Sequence, residues 1–145
     1  MRYERKEQFE KVNAFGTGTA NTAYAQYFTG DSFLNPLTDP EGGLFAANVT
    51  FEPGCRNNWH IHKATKGGGQ MLIGIAGRGW YQEEGKEAQE ILPGTVIHIP
   101  AGVKHWHGAA ADSWFAHLAI EIDGENMSNE WLQPVTDEEY NRLKH

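Results

Sequence analysis

The chain has 145 residues, of which 39% are hydrophobic and 21% charged, enough apolar material for one packed domain. Its single cysteine, Cys55, cannot form an intrachain disulfide, which excludes the disulfide-stapled class of secreted scaffold. Nineteen acidic against twelve basic residues give a formal net charge of −7, and the basic residues are scattered, so we expect no nucleic-acid partner. Residues 1–15 lack the apolar run of a signal peptide, and no segment approaches the roughly 20 apolar residues of a membrane span, so we predict a cytoplasmic protein without membrane association.

Residues 1–40 predict an N-terminal arm. They are polar, rich in glycine and threonine, and broken by Asn35-Pro36 and Asp39-Pro40, which is typical of loops and turns with short strands. Within the arm, residues 3–12 are compatible with a helix, a strand or a disordered segment. Arms of this kind often complete the sheet of a neighbouring copy, so we expect a homodimer or a higher homo-oligomer.

Residues 41–125 predict a barrel of short strands. Phe45, Ala47, Val49 and Phe51 alternate with smaller or more polar residues, which is the period of a half-buried strand. Further apolar runs, each bounded by glycine, proline or a charged turn, lie at residues 70–76, 79–82, 88–92, 95–99 and 115–122. Short strands at this spacing favour an antiparallel sandwich or barrel, and therefore an all-β fold.

Residues 126–145 predict a tail with one short helix. Thr136, with Glu139 three residues later, forms a capping box in which the threonine is the N-cap. The polar helix that it opens runs to Lys144.

Two pairs of histidines point to metal chemistry. His60 and His62 are two residues apart, which in a strand puts both imidazoles on one face, where they can hold one metal ion. For a single pair of this kind, a chance pair that faces solvent is the alternative. His105 and His107 repeat the spacing directly after the turn at residues 100–102, and this spacing alone does not decide which of the two is a ligand.

The two pairs stand in sequences that resemble the motifs of cupins, small β-barrels of the double-stranded β-helix or jelly-roll type. The first cupin motif is glycine, five residues, HxH, three or four residues, glutamate, six residues and glycine. The second is glycine, five residues, PxG, two residues and histidine. The corresponding residues here are, in order, Gly54, His60, His62, Gln70 and Gly77, and then Gly94, Pro100, Gly102 and His105. The resemblance implies a cupin barrel with a short C-terminal helix.

A four-ligand metal centre is also implied by this resemblance. Its ligands are His60, His62, Gln70 and His105. Gln70 departs from the motif, because it replaces the glutamate and follows His62 after seven residues. The glycines at residues 67–69 can loop out the extra length before a strand begins at Gln70. A neutral amide beside three imidazoles leaves the charge of a divalent ion uncompensated, so the ion is a stronger Lewis acid than one bound by three imidazoles and a glutamate.

A narrower resemblance is to the small bacterial cupins that include manganese-dependent hydroxynitrile lyases, and to cupins associated with carboxymuconolactone decarboxylase domains. It is carried by residues 69–73, 77–80, 104–110 and 117–120. It implies manganese as the metal, with iron, zinc or nickel as alternatives, and His117 as the catalytic acid-base group near the metal. Glu121 departs from the lyase pattern, in which a glutamine is usual. A carboxylate there can act as a second base or repel a cyanide-like anion.

The predicted substrate pocket surrounds this centre. Its lining residues are predicted to be His107, Glu121, Trp106, Ala47 and Val49. His117 and Glu121 share one face of the predicted strand at 115–122, where a buried histidine needs a partner.

Three other reactive residues are predicted to have no part in the site. His98 faces away from the side that its apolar neighbours occupy, and His145 is terminal. Cys55 is predicted to be structural, because the sequence places no acid-base partner beside it.

The sequence thus predicts lyase chemistry on a small oxygenated substrate, in which a divalent Lewis acid polarises a hydroxyl or carbonyl group and His117 moves the proton. Oxygen-dependent chemistry of the dioxygenase type is the alternative among enzymes. Binding of a metal or small ligand without turnover is the alternative outside them, because a fold does not fix a function.

Overall fold

The computed structural model describes residues 2–143. Lys144, the predicted end of the tail helix, and His145, a predicted bystander, lie outside the described residues. The α-helices are α1 (Lys6–Glu10) and α2 (Asp137–Asn141), and 3₁₀ turns lie at Ala25–Tyr27 and Pro40–Gly42. The strands are β1 (Thr19–Ala20), β2 (Phe28–Thr29), β3 (Ser32–Pro36), β4 (Ala46–Phe51), β5 (Arg56–Asn57), β6 (His60–Lys63), β7 (Lys66–Gly67), β8 (Gln70–Gly77), β9 (Gly79–Glu83), β10 (Gln89–Ile91), β11 (Val96–Ile99), β12 (His105–Ala109), β13 (Phe115–Glu121), β14 (Gly124–Glu125) and β15 (Ser128–Trp131).

The strands form two antiparallel sheets that enclose the core, as the predicted all-β jelly-roll barrel requires. The first sheet has the order β1-β3-β4-β13-β8-β11. The second has the order β10-β9-β12-β5-β2, and β6 joins it by pairing with both β12 and β15. The short strands β7 and β14 pair with each other. Because the chain crosses between the two sheets several times, the barrel brings residues far apart in the chain to one interior.

Alternating side chains of the two sheets fill the interior. The buried members of this core are Val49, Phe51, Cys55, Leu72, Tyr81, Ile91, Ile97, Ile99, Ala109, Phe115 and Ala119. A second cluster, which contains Trp59, Trp80 and Trp106, packs against Tyr140 of α2. A third cluster includes Phe9 of α1 and Trp114. Each helix therefore buries an aromatic ring against a side of the barrel that the first core cluster does not fill.

The predicted strands between residues 44 and 122 are all present within one to three residues of their predicted bounds. Helix α2 begins at the predicted capping box, where the backbone N–H of Glu139 donates to Thr136 Oγ1 at 3.1 Å and the N–H of Thr136 donates to Glu139 Oε1 at 3.1 Å. Residues 3–12, for which the sequence left three alternatives, contain α1. None of the helices in residues 2–143 has the length and apolar character needed to cross a membrane.

The arm and the tail both contribute strands to the barrel sheets. Strand β3 of the arm pairs with β4 along its whole length, from Ser32 opposite Phe51 to Pro36 opposite Ala47. Strand β15 of the tail pairs with β6, so that Trp131 lies opposite His60. The division at residues 40 and 125 stays a prediction, but both flanking segments help to build the interior.

Candidate metal centre and cavity

Two paired strands of the barrel bring the predicted histidine ligands together. His60 and His62 lie on β6, and His105 begins β12 directly opposite His60. One ring nitrogen of each of these histidines lies within 4.8 Å of the corresponding nitrogen of the others. The rings of His60 and His105 have centroids 4.2 Å apart. Strand pairing therefore converts two distant sequence pairs into one three-histidine cluster.

The other ring nitrogen of each ligand histidine is held by an oxygen. Nδ1 of His60 lies 2.8 Å from the carbonyl oxygen of Asn58, and Nδ1 of His62 lies 2.8 Å from Asn129 Oδ1. Nδ1 of His105 lies 2.9 Å from the carbonyl oxygen of Val103. A carbonyl oxygen can only accept, so Nδ1 carries the proton in His60 and His105 and Nε2 keeps a lone pair. Contacts of this kind fix the tautomer and the orientation of metal-binding imidazoles.

Gln70 completes the candidate ligand set at the start of β8. Its Oε1 is buried and, within residues 2–143, has no hydrogen-bond partner; the same holds for Nε2 of His62 and Nε2 of His105. Buried acceptors without a partner are costly, and a bound cation satisfies several at once. We name His60, His62, Gln70 and His105 the ligand cluster. The donor chemistry of the ligand cluster fits a divalent transition metal.

The glycine loop before Gln70 has the role that the sequence predicted for it. Gly67, Gly68 and Gly69 all have positive φ, and a Cβ at Gly69 would collide with the carbonyl oxygen of Ile99. A side chain there would push the loop away from β11. The loop therefore takes up the extra length and lets β8 begin at Gln70.

Burial keeps His60 and His105 in the neutral form that binds metal. His60 is 2% exposed, and the loss of hydration, followed by the neighbouring His105 and His62, holds its pKa well below the usual range. Burial also lowers the pKa of His105 to about 4. At neutral pH both rings are ready to act as ligands without first losing a proton.

The ligand cluster borders a cavity of about 340 Å³ between the two sheets. The predicted pocket residues Ala47, Val49, His107 and Glu121 line it, as does His117. Trp106 does not line it, and this prediction needs correction. Successive side chains of a strand point to opposite faces, so Trp106 between two inward histidines packs into the second cluster, where Nε1 donates to Gln82 Oε1 at 3.0 Å.

His107 and His117 form a buried pair in this cavity. Nε2 of His117 lies 2.9 Å from Nδ1 of His107. Asn57 Oδ1 accepts a hydrogen bond from the backbone N–H of His107 at 2.9 Å. This bond turns Nδ2 of Asn57 toward the His107 ring, where it lies 3.2 Å from Nε2 of His107. Nδ2 of Asn57 also lies 3.4 Å from Nδ1 of His107, so it is close to both nitrogens of this ring. Burial lowers the pKa of His117 to about 4 and holds that of His107 well below its ordinary value.

Sequence reasoning missed the aromatic wall that the tail supplies. Trp131 lines the cavity and stacks on His60 at 4.6 Å and on Tyr27 at 4.5 Å between ring centroids. Asn129, two residues earlier on the same face of β15, contacts His62. The two-residue spacing of Asn129 and Trp131 was the available signal, but nothing in the local pattern placed this strand beside the first histidine pair.

The predicted bystanders of the described chain lie away from the site. His98 is exposed on β11, and Cys55 is fully buried in the core. Burial raises the pKa of the Cys55 thiol, with Glu52 and Asp31 adding to the effect, so the thiolate form is disfavoured.

Known proteins are similar to this chain in sequence and in fold. The cupin domain family matches residues 47–121. Over 134 residues the chain is 42% identical to (R)-mandelonitrile lyase of Granulicella tundricola, covering 91% of this chain and 99% of that protein. A cupin-like protein from Thermotoga maritima is 38% identical, with a TM-score of 0.76 over 88% of this chain and 94% of that one. A cupin 2 conserved barrel domain protein from Rhodopseudomonas palustris, 15% identical, shares the fold with a TM-score of 0.63 over 86% of this chain and 81% of that one. The chain therefore belongs to the cupin domain family.

Proposed function

We propose that this cupin is a divalent-metal-dependent lyase that cleaves α-hydroxy nitriles, with manganese as its metal. The observation that carries the proposal is the three-histidine cluster, whose ring nitrogens lie within 4.8 Å of one another and of which His60 and His62, like Gln70, line a substrate-sized cavity. The Granulicella relative, which is named for lyase activity on (R)-mandelonitrile, supports the reaction class.

The cavity suits a small substrate with an apolar group. Its volume of about 340 Å³ is in the range of small-molecule sites. Its aromatic and aliphatic lining residues are Tyr24, Phe28, Leu34, Phe45, Ala47, Val49, Ala119 and Trp131. An aryl or alkyl group packed against this surface excludes water from the carbon that carries the hydroxyl and nitrile groups.

The proton passes through the histidine pair. A divalent ion held by the ligand cluster would supply Lewis acidity, which would make a hydroxyl proton of the substrate easier to remove. We assign the acceptor of that proton to His117, whose Nε2 lies 2.9 Å from Nδ1 of His107. As the bond between carbon and cyanide breaks, the carbonyl product forms and the cyanide takes the proton, so hydrogen cyanide leaves. Because the pKa of His117 is lowered to about 4, its protonated form gives the proton up readily.

Turnover of racemic mandelonitrile by the purified protein tests this function. The metal content is measured first, and the protein is then loaded with Mn²⁺, Fe²⁺, Zn²⁺ or Ni²⁺ and assayed by the absorbance of the benzaldehyde formed. We expect metal-dependent turnover, and a loss of about 100-fold or more in kcat for His117→Gln. His98→Gln, which changes an exposed histidine of β11, is the matched control and keeps full activity.

The same assay separates the alternatives. Equal rates with and without air support the lyase, whereas turnover that requires air supports dioxygenase-type chemistry. Metal binding without turnover of any α-hydroxy nitrile would indicate a protein that binds a metal or small ligand without catalysis. If no metal raises the rate above that of the uncatalysed reaction, the proposed function is wrong.

A further inference from the structure

Glu121 is the acidic residue that faces the cavity. It ends β13, and among the cavity-lining residues of the described chain it is the one Asp, Glu, Lys or Arg. Its backbone N–H donates to the carbonyl of Phe45 at 3.0 Å, which fixes the end of the strand. None of the ion pairs found within residues 2–143 includes Glu121. Glu121 is therefore an exposed residue at the edge of the cavity, and none of the ion pairs of the described residues neutralises its carboxylate.

Strand pairing places this carboxylate next to Gln70. The register of β13 on β8 sets Glu121 directly opposite Gln70, and both side chains line the cavity. Side chains directly opposite each other in an antiparallel pair are neighbours on the same face, with Cβ atoms about 5 Å apart. Within residues 2–143, Gln70 Oε1 is one of the buried acceptors of the ligand cluster that have no hydrogen-bond partner. Glu121 thus lies immediately beside the ligand cluster, on the cavity side.

Without Glu121, the ligand cluster has no negative charge to balance the two positive charges of a divalent ion. Three neutral imidazoles and one amide contribute no negative charge to a divalent ion. Glu121 is exposed, so solvent screens part of its attraction for the ion, but over a separation of a few ångströms an attraction remains. Its oxygen can also accept from Gln70 Nε2, which would keep Gln70 Oε1 pointed at the other acceptors.

We propose that Glu121 is the charge-balancing residue of the metal site: it strengthens the hold on the divalent ion and weakens the binding of anions beside that ion. This inference rests on the proposed metal site and deepens it. Both effects come from one negative charge, so removing that charge changes them in opposite directions. Anionic cyanide is therefore held less tightly than it would be beside an uncompensated ion, which favours its departure as hydrogen cyanide.

Two binding measurements on Glu121→Gln test the inference. The first is the Kd for Mn²⁺, measured by the loss of the free-ion electron paramagnetic resonance signal. The second is the Kd of the Mn²⁺-loaded protein for azide, measured by calorimetry. We expect the Mn²⁺ Kd to rise about tenfold, as for other residues that support metal ligands, and the azide Kd to fall by a similar factor. Glu121→Asp, which keeps the charge, restores both values toward those of the wild type.

Glu138→Gln is the matched control, because it removes one carboxylate from the exposed face of α2 and leaves the cavity unchanged. Thermal unfolding of the metal-free variants shows whether each one folds. If Glu121→Gln raises the Kd values for both Mn²⁺ and azide, or changes neither, charge balance by Glu121 is refuted. If the wild type binds no Mn²⁺ or other divalent ion, the proposed metal site itself fails, and that result is distinct from a failure confined to Glu121.

Discussion

Acidification should destabilise the metal-free protein through His117. This side chain is fully buried, and its ring packs against those of Phe51 and Phe115, with centroids 5.3 and 5.5 Å away. A charged imidazolium loses its hydration in such a place, so burial lowers the pKa from 6.5 to about 4. Between these two values the unfolded chain binds a proton that the folded chain does not.

The sign and size of the effect follow from linkage. The stabilisation is complete above pH 6.5 and is lost as the pH falls toward 4, because protonation favours the unfolded chain. One pKa unit is worth about 1.4 kcal/mol, so the full difference amounts to about 3 kcal/mol of unfolding free energy. The lowered pKa values of His60, His105 and His107 act in the same direction and steepen the total pH dependence.

Urea unfolding followed by tryptophan fluorescence, with a chelator present, measures this dependence between pH 7.5 and 4.5. We expect the unfolding free energy of His117→Gln to fall less steeply with acidification than that of the wild type, by up to about 3 kcal/mol over the range. His98→Gln is the control and keeps the wild-type slope. Equal slopes in the wild type and His117→Gln would show that burial does not suppress the charged form of this histidine.

Three further predictions concern the stability of the site and its surroundings. Trp131→Leu loses two stacked ring contacts, to Tyr27 and His60, and should lower the unfolding free energy in urea by about 1–3 kcal/mol and weaken Mn²⁺ binding. Trp131→Phe can still stack and should lose less stability, so equal losses in the two variants would contradict the stacking argument. Tyr140→Phe removes the hydroxyl that donates to the buried Ala109 carbonyl and should cost about 1–3 kcal/mol in the same assay, whereas an unchanged midpoint would show that this hydrogen bond is replaced by water. Chelation of the metal-loaded protein should lower its Tm, because Mn²⁺ at 100 times its Kd stabilises the folded state by about 2.7 kcal/mol; a Tm that does not respond to chelator would mean that the ion does not bind the folded state selectively.

Much of the barrel could be predicted because its strands carry their own pattern. Strands such as β4 and β13 alternate between core and opposite faces, and a one-residue shift would turn every apolar side chain outward. The capping box at Thr136 marks the start of α2 by local hydrogen bonds alone. The ligand histidines were predictable for the same reason, since a spacing of two residues in a strand fixes a shared face. That rule also places Trp106 opposite to His105 and His107, so its prediction as a pocket residue conflicted with the period of its own strand.

Other parts of the site depend on contacts that no local pattern records. Strand β15 has the sequence Ser-Asn-Glu-Trp, which carries no apolar alternation, and its conformation is set by pairing with β6. The contact of Asn129 with His62 joins residues that are 67 positions apart. Likewise, the placement of Glu121 opposite Gln70 follows from the register of β13 on β8, which only the assembled sheet defines.

The pairing of β15 with β6 also sets an order of events during synthesis. His62 leaves the ribosome 67 residues before Asn129, which at about 5–20 residues per second is a delay of about 3–13 s. Throughout that interval the first histidine pair has neither the Asn129 contact that holds one ring nor the Trp131 ring that covers the other. The nascent chain thus lacks two of the contacts that orient these imidazoles. The geometry of the proposed metal site is complete only after the last strand has been made and docked, so any preference of that site for one metal belongs to the finished barrel rather than to the growing chain.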